Sequence, residues 1–304
     1  MRLAAVVPNH AATVDSVAAQ LVRLEDLGFD SAWMPGIPNG PDVLTLLAAA
    51  GRSTERIEIG TAIVPTYPRH PVALAAQALT VNDALGGRLT LGIGVSHQKV
   101  IEGQLGLSFD RPVGHMREYL SILRPLLEHQ QVDFRGDTMR TRIRLDASIS
   151  GYPPPPVVLA ALGDQMLGVA GSMADGVVTW MTGLNTIEQR TIPTLQAAAA
   201  AAGRCPPRVI IGLPVMVTDD VEAARQRANE IFAVYGRLPS YQAMLAAEGA
   251  TSPGGVAIIG DESAIAAALD RMECFGASDF QVTPFGEADE MARTLELVAS
   301  RRAP

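Results

Sequence analysis

The sequence predicts an α/β protein built as a single (β/α)8 barrel, and three observations support this prediction. Eight short apolar segments rich in Val and Ile alternate with segments of helical periodicity, which is typical of buried parallel strands joined by helices. The chain has 304 residues, within the range of such barrels when insertions are included. Hydrophobic residues make up 48% and charged residues 18%, which suits one large core. We therefore expect one domain over 1–304, with insertions at about 100–155, after the fourth strand, and at 236–255, before the last helices.

The first half of the chain keeps a regular alternation. Four apolar runs predict strands at Leu3–Val7, Phe29–Met34, Ile57–Val64 and Arg88–Val95. Apolar residues at helical spacing predict helices at Thr13–Leu27, Asp42–Arg52 and His70–Leu85. Glycines follow two of these helices, at Gly28 and at Gly86–Gly87, where glycine commonly ends a helix.

The alternation is interrupted after the fourth strand. A helix is predicted at about 114–128, and the stretch 132–150 that follows it is irregular. Within this stretch Met139–Leu145 alternates with Arg on one face, which predicts a strand outside the main core. The four prolines of Gly151–Pro156 then form a rigid lead into the next strand.

The alternation resumes over the second half of the chain. The remaining strands are predicted at Val157–Ala161, Gly176–Trp180, Arg208–Val217 and Asp279–Pro284. The remaining helices are predicted at Asp164–Met173, Ile187–Ala202, Val221–Tyr235, Glu262–Phe275 and Glu287–Arg301. The second insertion contains a short helix of its own near Tyr241–Glu248.

An open, doubly wound sheet is the alternative fold. It requires a Gly-x-Gly-x-x-Gly loop after an early strand. The nearest match, Gly92–His97, has His in place of the third Gly and follows the fourth strand. The barrel is therefore the favoured architecture.

Composition narrows the classes of function. The net charge of −8 argues against nucleic acid as a partner, because phosphate binding needs a basic face. No apolar stretch approaches the ~20 residues of a membrane helix, and the first apolar run is too short for a signal peptide. Two cysteines, Cys205 and Cys274, and the lack of a His-Glu-x-x-His motif predict neither a disulfide framework nor a metal site. We expect a cytoplasmic protein.

Candidate catalytic residues stand at the C-terminal ends of the predicted strands, where barrels of this kind place their active sites. His10, His70 and His97 lie at this face, and histidine suits proton transfer because it titrates near neutral pH. Each could instead cap a helix or face solvent. No acidic pair stands at these ends, which disfavours a two-carboxylate glycosidase. His97, directly after the fourth strand, is the first catalytic candidate, and His10 is the second.

The turn after the fifth strand is the best candidate for an anion site. It consists of Leu162, Gly163, Asp164, Gln165 and Met166. Glycine permits a tight turn, and the N–H groups that open the next helix then point at one spot, where the helix dipole favours negative charge. A phosphate group would fit there. The alternative is an ordinary turn in which Asp164 caps the helix.

The predicted mouth of the barrel is mostly apolar and contains small residues, which suits a flat aromatic cofactor better than a sugar or a metal. Candidate substrate-pocket residues stand at the ends of several strands: Asn9, Tyr67, His70, Trp180, Met181 and Phe285. For Tyr67, Trp180, Met181 and Phe285, ordinary core packing is the alternative.

Several segments resemble the luciferase-like flavin and deazaflavin oxidoreductases. They are Gly28–Trp33 at the second strand, Ile57–Pro65 with Arg69–Pro71 at the third, Leu85–Gly94 at the fourth, Ala174–Gly176 before the sixth and Gly276–Phe280 before the eighth. The resemblance runs along nearly the whole chain and is weakest at 130–155 and 236–255. It is closest to actinobacterial members that use the deazaflavin coenzyme F420.

The resemblance implies where the cofactor binds. A bulge after the third strand, often with a non-proline cis peptide, would support the tricyclic ring at Ala62–Ile63, next to Thr61, Gly94 and Ser96. The cofactor phosphate would occupy the turn at Leu162–Met166, which the residues themselves indicate as an anion site. The resemblance also implies a small-molecule substrate and a homodimer.

The chain departs from the sugar-phosphate dehydrogenases of this superfamily. Those enzymes carry an Asp-His pair after the second strand and a Glu after the fourth, where this chain has Gly36–Ile37 and His97. A sugar phosphate is therefore doubtful, and we expect hydride transfer between F420 and a carbonyl, imine or activated alkene. The alternatives are an FMN-dependent luciferase-like monooxygenase and an F420-binding protein without catalytic activity.

Overall fold

The computed structural model describes residues 1–146 and 151–301, and its elements alternate along the chain. The strands are β1 (Arg2–Val6), β2 (Ser31–Met34), β3 (Glu58–Thr61), β4 (Val64–Pro65), β5 (Leu89–Gly94), β6 (Gln131–Arg135), β7 (Arg140–Arg144), β8 (Val157–Ala160), β9 (Gly176–Trp180), β10 (Arg208–Val217), β11 (Ile258–Gly260) and β12 (Asp279–Pro284). The helices are α1 (Val14–Asp26), α2 (Val43–Ala50), α3 (Pro71–Ala84), α4 (Gln98–Ile101), α5 (Pro112–His129), α6 (Asp164–Met173), α7 (Leu184–Thr186), α8 (Ile192–Ala201), α9 (Val221–Ile231), α10 (Pro239–Glu248), α11 (Glu262–Cys274) and α12 (Ala288–Ser300).

Eight parallel strands close into a barrel, as the sequence predicts. Their order around the ring is β1, β2, β3, β5, β8, β9, β10 and β12, and β12 pairs with β1 to close it. Strands and helices from both halves of the chain share one hydrophobic core, which supports the proposal of a single domain. The predicted ranges 132–150 and 1–304 include residues 147–150 and 302–304, which lie outside the described part.

The interior of the barrel is closed at the N-terminal ends of the strands. An apolar layer crosses it, formed by Ala4, Trp33, Val158, Val178 and Ile210. A Cβ at Gly60 would lie 2.3 Å from the Trp33 ring, so only glycine fits there. Below this layer Arg208 donates to Asp279 at 2.6 Å and to Glu58 at 2.7 Å. Because paired charges and a packed layer close this end, the opposite end is the one open to ligands.

The third predicted strand, Ile57–Val64, is wrong as a continuous strand. It consists of β3 and β4, which are separated by the cis peptide Ala62–Ile63, as the family resemblance implies. The Thr61 hydroxyl accepts from the N–H of Gly92 at 2.9 Å and donates to the carbonyl of Gly92 at 2.7 Å. A Cβ at Gly92 would lie 1.9 Å from the carbonyl oxygen of Thr61. The close approach of β3 and β5 at Thr61 and Gly92 therefore depends on glycine. It fixes the strand directly before the bulge.

The first insertion contains a long helix, α5, and an antiparallel hairpin of β6 and β7. The predicted strand outside the main core is confirmed as β7, whereas the expectation that the residues before it are irregular is wrong. Val132 and Phe134 alternate with polar residues in β6. The Glu118 carboxylate of α5 accepts the N–H groups of Asp137, Thr138 and Met139 and thereby fixes the hairpin turn.

Three further differences lie in the second half of the chain. Strand β11, which was not predicted, pairs with β10. The predicted helix Ile187–Ala202 is preceded by α7 and begins with a π-helical turn at Ile187–Thr191. Pro193 lies in the first turn of α8, where its missing N–H interrupts regular helical hydrogen bonding. Helix α9 ends at Ile231 rather than Tyr235.

Candidate active site

The floor of the barrel mouth is apolar and flat. Ala62 and Ile63 of the bulge and Ala160 at the end of β8 are partly exposed and pack on the buried layer below them. A Cβ at Gly94 would lie 3.1 Å from both Ala160 and the Ile63 side chain. Because Gly94 has no side chain, Ala160 and Ile63 both approach this position closely, and no side chain of residue 94 protrudes from the floor. It suits a planar aromatic ring.

Asn9 lies after β1 with an unused hydrogen-bond acceptor. It is 2% exposed, and its Nδ2 donates to the carbonyls of Pro35 at 2.8 Å and Pro41 at 3.3 Å. Its Oδ1 is buried and has no hydrogen-bond partner within the described residues. Buried polar atoms are normally paired, so this oxygen is available to a donor on a ligand.

The predicted anion turn presents an open helix N-terminus. Gly163 is the N-cap of α6 and supplies no side-chain cap, whereas Asp42, Asp220 and Asp261 cap α2, α9 and α11. The first-turn N–H groups of α6 have no partner within the helix. A Cβ at Gly163 would meet nothing within 4 Å, so the space in front of this turn is free.

Asp164 does not cap α6, contrary to the ordinary-turn alternative. Its Oδ1 instead accepts from Nε of Arg190 at 2.8 Å. This ion pair offsets the negative charge of Asp164 next to the helix N-terminus. Gln165 is exposed, while Leu162 and Met166 pack against the main core. The turn therefore fits a phosphate group.

His97 directly follows β5 and the left-handed residue Ser96, and it is the N-cap of the short helix α4. Its side chain is partly buried, and this burial lowers the pKa of the imidazole, which is therefore neutral at pH 7. Neither ring nitrogen makes a hydrogen bond to any residue of the described ranges. His97 is thus a neutral imidazole with free hydrogen-bonding capacity at the mouth.

A chain of aromatic contacts starts at His97 and crosses the mouth; we call it the aromatic arch. Successive ring centroids lie 5.0–5.9 Å apart. Its members are His97, Tyr241, Tyr235, Trp180, Phe232 and Phe285. The structure thereby connects the predicted site residues at the ends of β5, β9 and β12. The three connecting rings come from the segment 232–241 and were not predicted as site residues.

Glu248, at the end of α10, fixes the second insertion against the barrel. Its carboxylate accepts the N–H groups of Asn185 at 3.0 Å and Thr186 at 2.7 Å, as well as the Thr186 hydroxyl. A Cβ at Gly183 would lie 2.1 Å from the Glu248 carboxyl carbon. The insertion therefore packs directly on the segment that follows β9.

On the other side of the mouth, Tyr67 is held by contacts with the helix α5 and the segment before it. Its ring stacks on His115 at 4.0 Å, and its hydroxyl donates to the carbonyl of Asp110 at 2.9 Å. His115 Nε2 lies 3.0 Å from the Thr66 hydroxyl oxygen. Burial raises the pKa of Tyr67 to about 12, with smaller contributions from Asp110 and Glu102. Sequence reasoning missed His115, which attaches α5 to the residue after β4.

His115 is expected to make the protein sensitive to acid. Burial lowers the pKa of His115 to about 4, and nearby Glu118 opposes this shift. Because its pKa in the unfolded chain is near 6.5, protonation favours unfolding. The contribution of neutral His115 is complete above about pH 6.5 and is lost as the pH falls towards 4.

Thermal unfolding of His115→Gln across pH 4–7 tests this expectation. The stability of the variant should fall less than that of the wild type between pH 6.5 and 4. His129→Gln, at the exposed end of the same helix, is the control and should follow the wild type. Identical pH dependence of the His115 variant and the wild type would contradict the assignment.

The other predicted site residues occupy different environments. His10 is exposed and makes no hydrogen bond within the described part. His70 is exposed, and its Nδ1 accepts the N–H of Val72 at 3.3 Å as the N-cap of α3. Met181 is 1% exposed and packs in the core. The geometry therefore favours His97 over His10 and His70 as the proton-transfer residue.

Away from the mouth, a cavity of about 810 Å³ lies between α5 and the β6–β7 hairpin. It contains none of the predicted site residues. Within residues 1–146 and 151–301 no group of three His, Cys, Asp or Glu side chains could hold a metal ion. No helix of these ranges is long and apolar enough to cross a membrane.

Comparison with known proteins places the chain in a family. Residues 1–296 match the luciferase-like monooxygenase family, and the chain belongs to that family. It is 29% identical over 262 residues to an uncharacterised protein of Mycobacterium tuberculosis (strain H37Rv), covering 82% of this chain and 76% of the relative. It is 36% identical over 174 residues to the F420-dependent glucose-6-phosphate dehydrogenase of Intrasporangium calvum, covering 52% and 51%.

Solved structures share the fold over nearly the whole length. The coenzyme F420 dependent tetrahydromethanopterin reductase from Methanopyrus kandleri superposes with a TM-score of 0.78 at 21% identity, covering 98% of this chain and 97% of that one. The oxygenating constituent of 3,6-diketocamphane monooxygenase from Pseudomonas putida, in complex with FMN, gives 0.78 at 19% identity with the same coverage. At these identities the likeness shows the fold.

Proposed function

We propose that the protein is an F420-dependent oxidoreductase that transfers hydride between the deazaflavin and a small neutral carbonyl, imine or activated alkene. One observation carries the proposal: a flat apolar floor and an open, uncapped helix N-terminus occur at the same mouth. The family membership and the F420-dependent relative support F420 as the cofactor. The departures at Gly36–Ile37 and His97 argue against a sugar phosphate.

Each part of the site has a role towards the cofactor. Bound F420 supplies or accepts the hydride, and the protein orients it. Ala62 and Ile63 would support the ring, with Thr61, Gly94 and Ser96 beside it. The first-turn N–H groups from Asp164 to Met166 would bind the phosphate. The buried Oδ1 of Asn9 would accept a hydrogen bond from a donor group of the ligand.

His97 would move the proton. In the oxidation direction the neutral imidazole accepts a proton from the substrate hydroxyl, and in reduction its protonated form donates one. Trp180 and Phe285 would form the apolar wall opposite Tyr67 and would exclude water from the reacting atoms. Because these walls are uncharged, a neutral substrate fits best. His10 is the second candidate for the proton transfer.

Anaerobic turnover tests this proposal against its alternatives. Reduced F420, mixed with the protein and a panel of neutral aldehydes, ketones and imines, should be reoxidised without oxygen, as followed by the absorbance of oxidised F420. The structural neighbour in complex with FMN keeps the monooxygenase alternative open, and turnover that requires both FMN and oxygen would favour it. Tight F420 binding without turnover of any compound would favour the non-catalytic alternative.

We also propose that the protein is a homodimer, on the strength of the family resemblance. Sedimentation equilibrium at assay concentration should give twice the chain mass. A monomer mass there would contradict this.

A further inference from the structure

We propose that Tyr241 is a second catalytic residue of this site. Its hydroxyl, together with His97, would bind the acceptor atom of the substrate's reducible double bond, so that a carbonyl or imine is preferred over a plain alkene. This inference rests on the proposed function and narrows its substrate class.

The position of Tyr241 is unusual for a tyrosine with a purely structural role. Its side chain is 8% exposed, and its ring lies between those of His97 at 5.5 Å and Tyr235 at 5.0 Å. Its hydroxyl makes no hydrogen bond to any residue in the described ranges. The side chain is otherwise buried, and its oxygen is not among the fully buried unpaired atoms of these ranges, so the hydroxyl is open to a ligand group at the mouth.

The chemistry of the pair selects the ligand. Burial lowers the pKa of His97 and raises the pKa of Tyr241, so both side chains are neutral at pH 7. The Tyr241 hydroxyl offers one O–H donor, and the neutral imidazole offers one N–H donor. Two neutral donors beside an apolar floor fit a neutral oxygen or nitrogen acceptor. An alkene carbon accepts no such hydrogen bond.

Tyr241 stands on a helix that is hydrogen-bonded to the barrel. Tyr241 and Glu248 stand on the same helix, α10, and Glu248 accepts the N–H groups of Asn185 and Thr186 after β9. The insertion is therefore tied to the barrel within two helical turns of Tyr241. Such support gives the preorganisation that a substrate-binding group needs.

A matched pair of probes tests the inference. Acetophenone and α-methylstyrene share a phenyl ring and a methyl group and differ only in C=O against C=CH2. Their affinities for the F420-loaded protein are measured by ligand-observed NMR. Because the ketone loses more hydration on binding than the alkene, the ratio of the two affinities is compared between variants. Tyr241→Phe should shift this ratio at least threefold against acetophenone, the effect of about one net hydrogen bond, while it binds α-methylstyrene as before.

Tyr235→Phe is the matched control, because it removes a hydroxyl from the next ring of the arch, which does not contact His97. It should keep the wild-type ratio of the two affinities. An unchanged ratio in Tyr241→Phe would overturn the inference. The F420 affinity is measured on the same samples. If F420 does not bind, the proposed cofactor is refuted, and the same probe comparison on the free protein still decides the role of Tyr241.

Discussion

Replacing His97 with Ala should lower kcat by roughly 10²–10⁴, the usual contribution of a positioned general acid or base. The affinity for F420 should stay nearly unchanged, because the floor at Ala62–Ile63 and the turn at Gly163 remain intact. Steady-state oxidation or reduction of F420 gives kcat, and a fluorescence titration gives the affinity. His129→Ala, at the exposed end of α5, is the control and should behave as the wild type.

The pH dependence gives His97 a second signature. In the reduction direction the imidazole must be protonated, so kcat should rise as the pH falls through the lowered pKa of His97. In the oxidation direction kcat should rise as the pH climbs through the same value. The His97→Ala variant should lose this pH dependence of kcat. A His97→Ala variant with the wild-type kcat would refute His97 as the proton-transfer residue, and His10 would be the next candidate.

Replacing Gly163 with Val should weaken F420 binding at least tenfold, about 1.4 kcal/mol. Gly163 has an extended backbone, with φ −87° and ψ 154°, which a β-branched residue adopts readily. A Cβ there meets nothing within 4 Å, so the variant should fold. Its methyl groups would occupy the space in front of the first-turn N–H groups, where the phosphate is expected.

Gly168→Ala, in the same helix and also with open space around its Cβ, is the control and should keep the wild-type affinity. Circular dichroism establishes that both variants are folded. Unchanged F420 affinity in a folded Gly163→Val would place the phosphate elsewhere.

The barrel could be predicted because its signals are local. Apolar runs and helical spacing locate all eight barrel strands, and closure follows from their number. The break inside Ile57–Val64 has no local signal in periodicity, since both halves are apolar; only the family resemblance indicated Ala62–Ile63. Strand β6 was missed because the turn of the β6–β7 hairpin depends on Glu118, which lies 19 positions before Asp137.

The candidate site could be predicted only in part from the sequence. His97, Trp180 and Phe285 follow predicted strands, so the barrel rule locates them at the mouth. Tyr241 reaches the mouth through a contact between Glu248 and Asn185, which are 63 positions apart. One signal was present: aromatic residues make up 5% of the chain, yet Phe232, Tyr235 and Tyr241 stand close together in the segment 232–241. His115 depends on a contact with Thr66, 49 positions away.

Equilibrium titration of the protein with F420 and with FMN tests the central claim most directly. Both compounds have distinct absorption and emission spectra, so each binding curve can be followed without a substrate. The account predicts that F420 binds more tightly than FMN and that Gly163→Val reduces this preference. Tighter binding of FMN than of F420 to the wild-type protein would contradict it.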